Sequence, residues 1–218
     1  MKKLIVLFIV TLLQGCAFTD VTLDITEDNA AAFKGPLSSI EPTVFRLEEL
    51  GDNRSDKERI GWVKNGYGAN TADIFSSKPV NEVVLNAVQT ALTKNGHSVG
   101  EQGRITVSGD VNQFWFESDV NFWTIEFIGA IEFSAVFKDK LSDEVIYESV
   151  YNGSYSEKVG AGYKKTWEKV MSNALNNLIE EIIFDEELAR SIEEISNVNS
   201  SKTSGQATNL SFFNVAPK

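Results

Sequence analysis

Cysteine and histidine each occur once in the chain, as Cys16 and His97, and these two scarcities remove whole classes of chemistry. No disulfide can form within the chain, so the fold must rest on an apolar core. A single thiol cannot assemble a thiolate metal cluster, and no metal site or cofactor is expected. A nucleophilic hydrolase needs a base beside its nucleophile, yet His97 follows Gly96 among polar residues at a helix exit, where a turn or capping role is the expectation. Basic charge is short as well: 20 Lys and Arg face 31 Asp and Glu, a formal net charge of −11. Such a field repels nucleic acid and anionic lipid surfaces, so no nucleic-acid partner is expected. Long apolar runs are absent too. Residues 4–13, broken by Thr11, fall short of the roughly 20 residues that a spanning helix needs.

What is present begins at the amino end. Met1, Lys2 and Lys3 precede that apolar run, the two leading parts of a secretory signal. Leu13-Gln14-Gly15-Cys16 follows and resembles the lipobox of bacterial lipoproteins. The resemblance implies that residues 1–15 are removed, that the Cys16 thiol carries a diacylglycerol and that the new amino terminus is acylated, as by palmitate. Ala17, where an Asp favours the inner membrane in enterobacteria, implies the periplasmic face of the outer membrane. Several acyl chains, at about 0.8 kcal/mol per buried methylene, hold firmly where one binds reversibly. Loss of Lys2 and Lys3 moves the formal charge from −11 to −13, so the approach to the membrane relies on the anchor.

Residues 16–40 read as a lipidated tether with one peripheral strand around Val21, Leu23 and Ile25, and a turn at Gly35-Pro36. Residues 41–190 read as one α+β domain. Val44, Phe45 and Leu47 start a strand, and residues 60–75 form a less regular extended region. Pro79 opens a helix whose Val80, Val83, Val84, Ala87, Val88, Ala91 and Leu92 recur at three and four. Ile105, Val107, Gly109 and Val111 alternate, after which the phase shifts to Phe114 and Phe116, predicting a bulge near Asn112. A long alternation from Trp123 through Ile125, Phe127, Gly129, Ile131, Phe133 and Ala135 to Phe137 predicts one strand face, bent at Gly129. Val145 to Tyr155 makes the return strand. A second apolar stripe runs from Trp167 to Ile183. The expectation is a mostly antiparallel sheet packed by two amphipathic helices, then a short acidic helix over 185–195 leading into a flexible polar tail, 191–218.

Carboxylates are abundant: Glu117 and Asp119 fall beside a cluster of aromatic residues, while Glu126 and Glu132 lie on the polar side of the long strand. A glycosidase needs two at about 5–9 Å, but solvated acids on a sheet face are the plainer reading. Residues 114–123 contain five aromatics in ten positions, on both strand faces. Trp115, Phe122 and Trp123 are therefore candidate protein-contact residues, with Trp62 and Tyr67 as extensions of the patch.

The segments VFRLEELGDNRSDKERIG (44–61), PVNEVVLNAVQTALTKNGHSV (79–99) and ITVSGDVNQFWF (105–116), with the late helix near Tyr163, resemble the YajG-type envelope lipoproteins over about residues 40–190. The resemblance implies a small α+β lipoprotein domain and no known enzymatic activity. The family's Asp-x-Arg loop maps to Asp52 and Arg54, a pair suited to fastening a loop. The expected function is a noncatalytic accessory or binding module for an envelope protein. A carrier or sensor of a small apolar ligand is the alternative, and an envelope-polymer hydrolase ranks third.

Overall fold

A computed structural model describes residues 19–27 and 34–207, with side chains described to residue 196. The readings of residues 1–18, including the signal and Cys16, and of 208–218 lie outside the described residues. In chain order the elements are β1 (Val21–Leu23), a 3-10 turn (Pro36–Ser39), β2 (Val44–Leu47), β3 (Gly51–Asp52), β4 (Gly61–Lys64), β5 (Asn70–Ser76), α1 (Val80–Lys94), β6 (Ser98–Val99), β7 (Ile105–Val120), β8 (Ile125–Asp139), β9 (Glu144–Val159), α2 (Lys164–Phe184) and α3 (Glu186–Ala207). No helix among the described residues is long and apolar enough to cross a membrane.

The long strands β7, β8 and β9 form an antiparallel meander. On β8 every second residue is buried: Phe127, Ile131, Phe133, Ala135 and Phe137 belong to the core, as strand alternation requires. The phase shift on β7 is a bulge. Register slips between Val111 and Gln113, and the amide of the extra residue, Asn112, donates to Ser134 Oγ at 2.6 Å and Glu132 Oε1 at 3.1 Å. Val111, Phe114 and Phe116 thus all reach the core. Trp123 does not share that face, because β8 begins at Ile125 and Trp123 lies in the connecting turn, closed by Asn121 N–H donating to Thr124 O at 2.9 Å.

Gly129 carries no bulge. Its pairing to Phe116 and Tyr155 is continuous, and a Cβ there would meet Met171 Sδ and Val170 O at 3.1 Å. Gly153 on β9 is tighter still: a Cβ would stand 2.1 Å from Ala174 O and 2.7 Å from Leu178 N. These glycines let α2 lie close on the sheet. From α2, Val170, Met171, Ala174, Leu175, Leu178, Ile179, Ile182 and Ile183 are buried, the stripe read from sequence. All seven stripe residues of α1 are buried as well. Pro79 is its N-cap rather than its first turn, and Gly96, at φ 93°, supplies the left-handed exit. β9 forms the outer edge beyond β8, and α2 reaches over that edge. Glu181 accepts from Asn152 N–H, and Asn177 Nδ2 donates to Ser154 O at 2.7 Å.

Three expectations change. The sheet is mixed: antiparallel pairing dominates, but β2, β3 and β4 run parallel to β7 on the side away from β8, with Phe45 opposite Ile105, Gly51 opposite Asp110 and Gly61 opposite Phe116. Parallel neighbours need a crossover, here the β5–α1 passage, which alternation within a strand does not reveal. The third helix, expected as a short acidic one over 185–195, is longer and runs to Ala207. α3 carries the chain through the segment read as a polar tail, and its Leu188, Ala189 and Ile192 are buried. Asp185 starts it by accepting the Glu187 and Leu188 N–H groups, both at 3.0 Å, while its other oxygen takes the hydroxyls of Tyr147 and Tyr151 at 2.8 Å. Finally, the described part of the supposed tether belongs to the domain: β1 pairs β5, and Leu23, Ile25 and Leu37 are buried.

Candidate functional site

The buried faces of α1 and α2 cover one side of the sheet, and the opposite side is lined by the residues between the core positions. Strand pairing puts Trp115 opposite Ala130 and Glu117 opposite Ile128, with Ser154 and Ser156 next across. Gly61 pairs with core-facing Phe116, so Trp62 emerges on this open face. It meets Trp115 edge-on, ring centroids 4.8 Å apart at 77°, a geometry favoured by the aromatic quadrupole. Both indoles are half-buried.

Charges frame the pair. Lys64 bonds Glu117, whose other oxygen accepts from Trp115 Nε1 at 3.3 Å. Burial pushes the Glu117 carboxyl up, but the Lys64 ammonium and the indole N–H outweigh it and hold the group below the ordinary glutamate range. The Arg59 guanidinium lies 5.8 Å from the Trp62 ring and is fixed by Asp73 at 2.8 Å and Asp56 at 2.9 Å. An open cleft of about 320 Å³ continues from Trp115 past Asn112, Gln113, Glu132, Ser55 and Asp56. Its walls are mainly polar.

Asp52 and Arg54 form the loop pair read from sequence. Arg54 is 7 % exposed, and its Nε and Nη2 grip the Asp52 carboxylate at 2.9 Å each. The remaining donors go to the carbonyls of Arg59 at 3.0 Å and Lys57 at 3.2 Å. This fork closes the β3–β4 loop and sets the approach of β4, hence of Trp62. Burial works against the Asp52 charge, and Arg54 overrides it, so the carboxyl stays below its ordinary value.

The predicted aromatic patch divides in two. Trp62 and Trp115 share the open face. Phe122 and Trp123 pack on each other at the β7–β8 turn, centroids 4.7 Å apart, and Tyr67 stands at the β4–β5 turn, 98 % exposed. Sequence reading missed Arg59 and Lys64 as the frame of the tryptophan pair, although Lys64 stands two residues from Trp62 and so shares its strand face. Tyr163, 76 % exposed, was also missed. The acids have structural partners: Glu126 pairs with Lys158 at 3.3 Å, and Glu132 takes the Asn112 amide. His97 is buried, its Nδ1 accepting Thr43 N–H at 3.2 Å and its Nε2 donating to Leu37 O at 2.9 Å. It staples the 3-10 turn and β2 to the end of α1.

Comparison with known proteins supplies a family rather than a mechanism. A Xanthomonas campestris protein of solved structure is 12% identical, with a TM-score of 0.52, the match covering 81% of this chain and 99% of that one. It shares the fold. A minor lipoprotein of Acinetobacter baumannii is 11% identical, covering 72% of this chain and 95% of that one, at a TM-score of 0.37. A Neisseria meningitidis lipoprotein is 9% identical, with coverage of 63% and 98% and a TM-score of 0.34. Among curated protein sequences none matches. The profile of a family described as uncharacterized lipoprotein matches residues 49–193, which include the Asp52–Arg54 loop, the tryptophan pair and the whole meander. The chain belongs to that family, the YajG-type lipoproteins it resembles in sequence.

Proposed function

We propose that this lipoprotein is a noncatalytic binding module, anchored through lipid on Cys16 at the periplasmic face of the outer membrane, that docks an envelope protein on its open sheet face. The observation that carries the reading is the Trp62–Trp115 pair, half-buried and held in a frame of Arg59, Lys64 and Glu117. Rigid aromatics rimmed by fixed charges suit a protein contact, since they lose little side-chain entropy when covered. Confinement of both partners to one membrane raises their effective concentration, so a modest contact suffices.

The test is photocrosslinking in intact cells from a reactive residue at Trp115. Capture of one envelope protein, lost on Arg59→Ala or when Cys16 is replaced, is the expected result. Silence at Trp115 and Trp62 in correctly localised protein would sink the docking face. The carrier reading calls for an apolar cavity between sheet and helices. Three open clefts among the described residues are more polar than apolar in lining, and none of these three supports it comparably.

A further inference from the structure

Several exposed aromatics gather at one end of the sheet. Val120 pairs Ile125, and Ile125 pairs Val159, so the 121–124 turn and the 160–163 connection lie side by side. β4 runs parallel to β7 with Gly61 opposite Phe116, which carries the 65–69 turn to the same end. Here Tyr67 is 98 % exposed, Phe122 88 %, Trp123 84 % and Tyr163 76 %. Apolar side chains presented together in this way mark a contact surface rather than ordinary scatter.

The chain enters at that end. β1 runs parallel to β5 with Val21 opposite Ile74, and Asp73 N–H donates to the Asp20 carboxylate at 3.0 Å. Following β1 backwards therefore leads towards Asn70 and the 65–69 turn. Thr19 is described, and Cys16 precedes it by three positions, about 10 Å of chain at full extension. Four lysines near this end are each paired with a glutamate although the protein is strongly acidic: Lys64, Lys158, Lys164 and Lys169 pair with Glu117, Glu126, Glu168 and Glu157.

We infer that this end is a membrane-contact surface: Tyr67, Phe122 and Trp123, with Tyr163 at the margin, enter the interfacial layer of the leaflet that holds the Cys16 lipid. The inference rests on the lipid-anchor reading above. Tryptophan and tyrosine favour the headgroup layer, where an apolar ring and a polar tip are both accommodated. The short reach from Thr19 favours a bilayer over a protein as the occupant, because a folded partner would have to fit into a gap of about 10 Å. The acyl chains on Cys16 supply the hold; the aromatic contact sets the orientation. The domain then stands on its end, and the Trp62–Trp115 face looks sideways along the membrane.

Cys16 is the sole native cysteine and its thiol is occupied by lipid in the anchored protein, so one new cysteine is a unique labelling site. Full-length acylated protein carrying Phe122→Cys, Trp123→Cys or Leu141→Cys is spin-labelled and placed in phosphatidylethanolamine–phosphatidylglycerol vesicles. Leu141, 79 % exposed, lies in the β8–β9 turn at the far end and reports water. The expected result is labels at 122 and 123 several-fold more accessible to oxygen and less accessible to a water-soluble nickel complex than the label at 141. Floating, acylated protein whose three labels are equally open to nickel would overturn the contact and leave the anchor standing. Protein that lacks lipid on Cys16 and fails to float would remove both.

Discussion

Gly153→Ala probes the closest approach between the sheet and α2. The added methyl meets Ala174 O at 2.1 Å and the backbone of Leu178 at 2.7 Å, so it cannot be accommodated by rotating a side chain. Either α2 lifts from β9 or the strand retreats from β8. Overpacking of this kind costs about 1–3 kcal/mol, and contact with helix backbone argues for the upper end. Against it stands the reduced freedom of the unfolded chain, which favours alanine by about 0.4–1 kcal/mol. The net loss is about 2 kcal/mol. For a domain of this size that lowers the melting midpoint by roughly 4–8 °C, measurable by thermal circular dichroism. Gly66→Ala is the control, since nothing lies within 4 Å of its Cβ position. Equal midpoints for the wild type and the two variants would refute the claim that α2 is seated through Gly153.

Four further perturbations follow from the polar contacts. Burial holds the His97 imidazole below its ordinary value despite the Leu37 carbonyl, so the unfolded chain takes up the proton first. Stability should therefore fall as pH drops below about 6.5 and level off beneath the folded value, a step that denaturant titrations should find missing in His97→Gln. Arg54→Ala leaves the Asp52 carboxylate and two loop carbonyls without their donor, and a loss of about 3 kcal/mol is expected in urea unfolding; Asp52→Asn should lose the component that fades in wild type as pH falls below about 4. Asp185→Ala removes the start of α3 and the acceptor of both tyrosine hydroxyls, so amide exchange over residues 186–196 should accelerate while α1 stays protected; uniform protection throughout would count against that role.

Periodicity made the elements legible wherever one face was buried against one neighbour. The stripes of α1 and α2, the bulge at Asn112 and the Phe127–Phe137 face follow from burial alone, and each is local. The parallel company of β7 was hidden because β2, β3 and β4 are short and each borrows its pairing from a strand some sixty residues away. The contact of Gly129 with α2 was hidden for a related reason: its sequence context speaks of the strand, not of the helix above it. Of the candidate site, the Asp52–Arg54 fork was visible through the family resemblance. The grouping of Trp62 with Trp115, and the separation of Phe122 and Trp123 from both, depended on which strand lies beside β7.

The reach of α2 over the edge of β9 bears on how this protein would aggregate. An outer strand of 16 residues offers a ladder for another chain, and here Glu181 and Asn177 occupy groups on that edge from the protein's own helix. Opening the edge and lifting the helix are thus one event. The danger of intermolecular strand pairing then scales with the population of the helix-lifted state, so a change beneath α2 such as Gly153→Ala should promote fibrous association under conditions where the rest of the fold is still native.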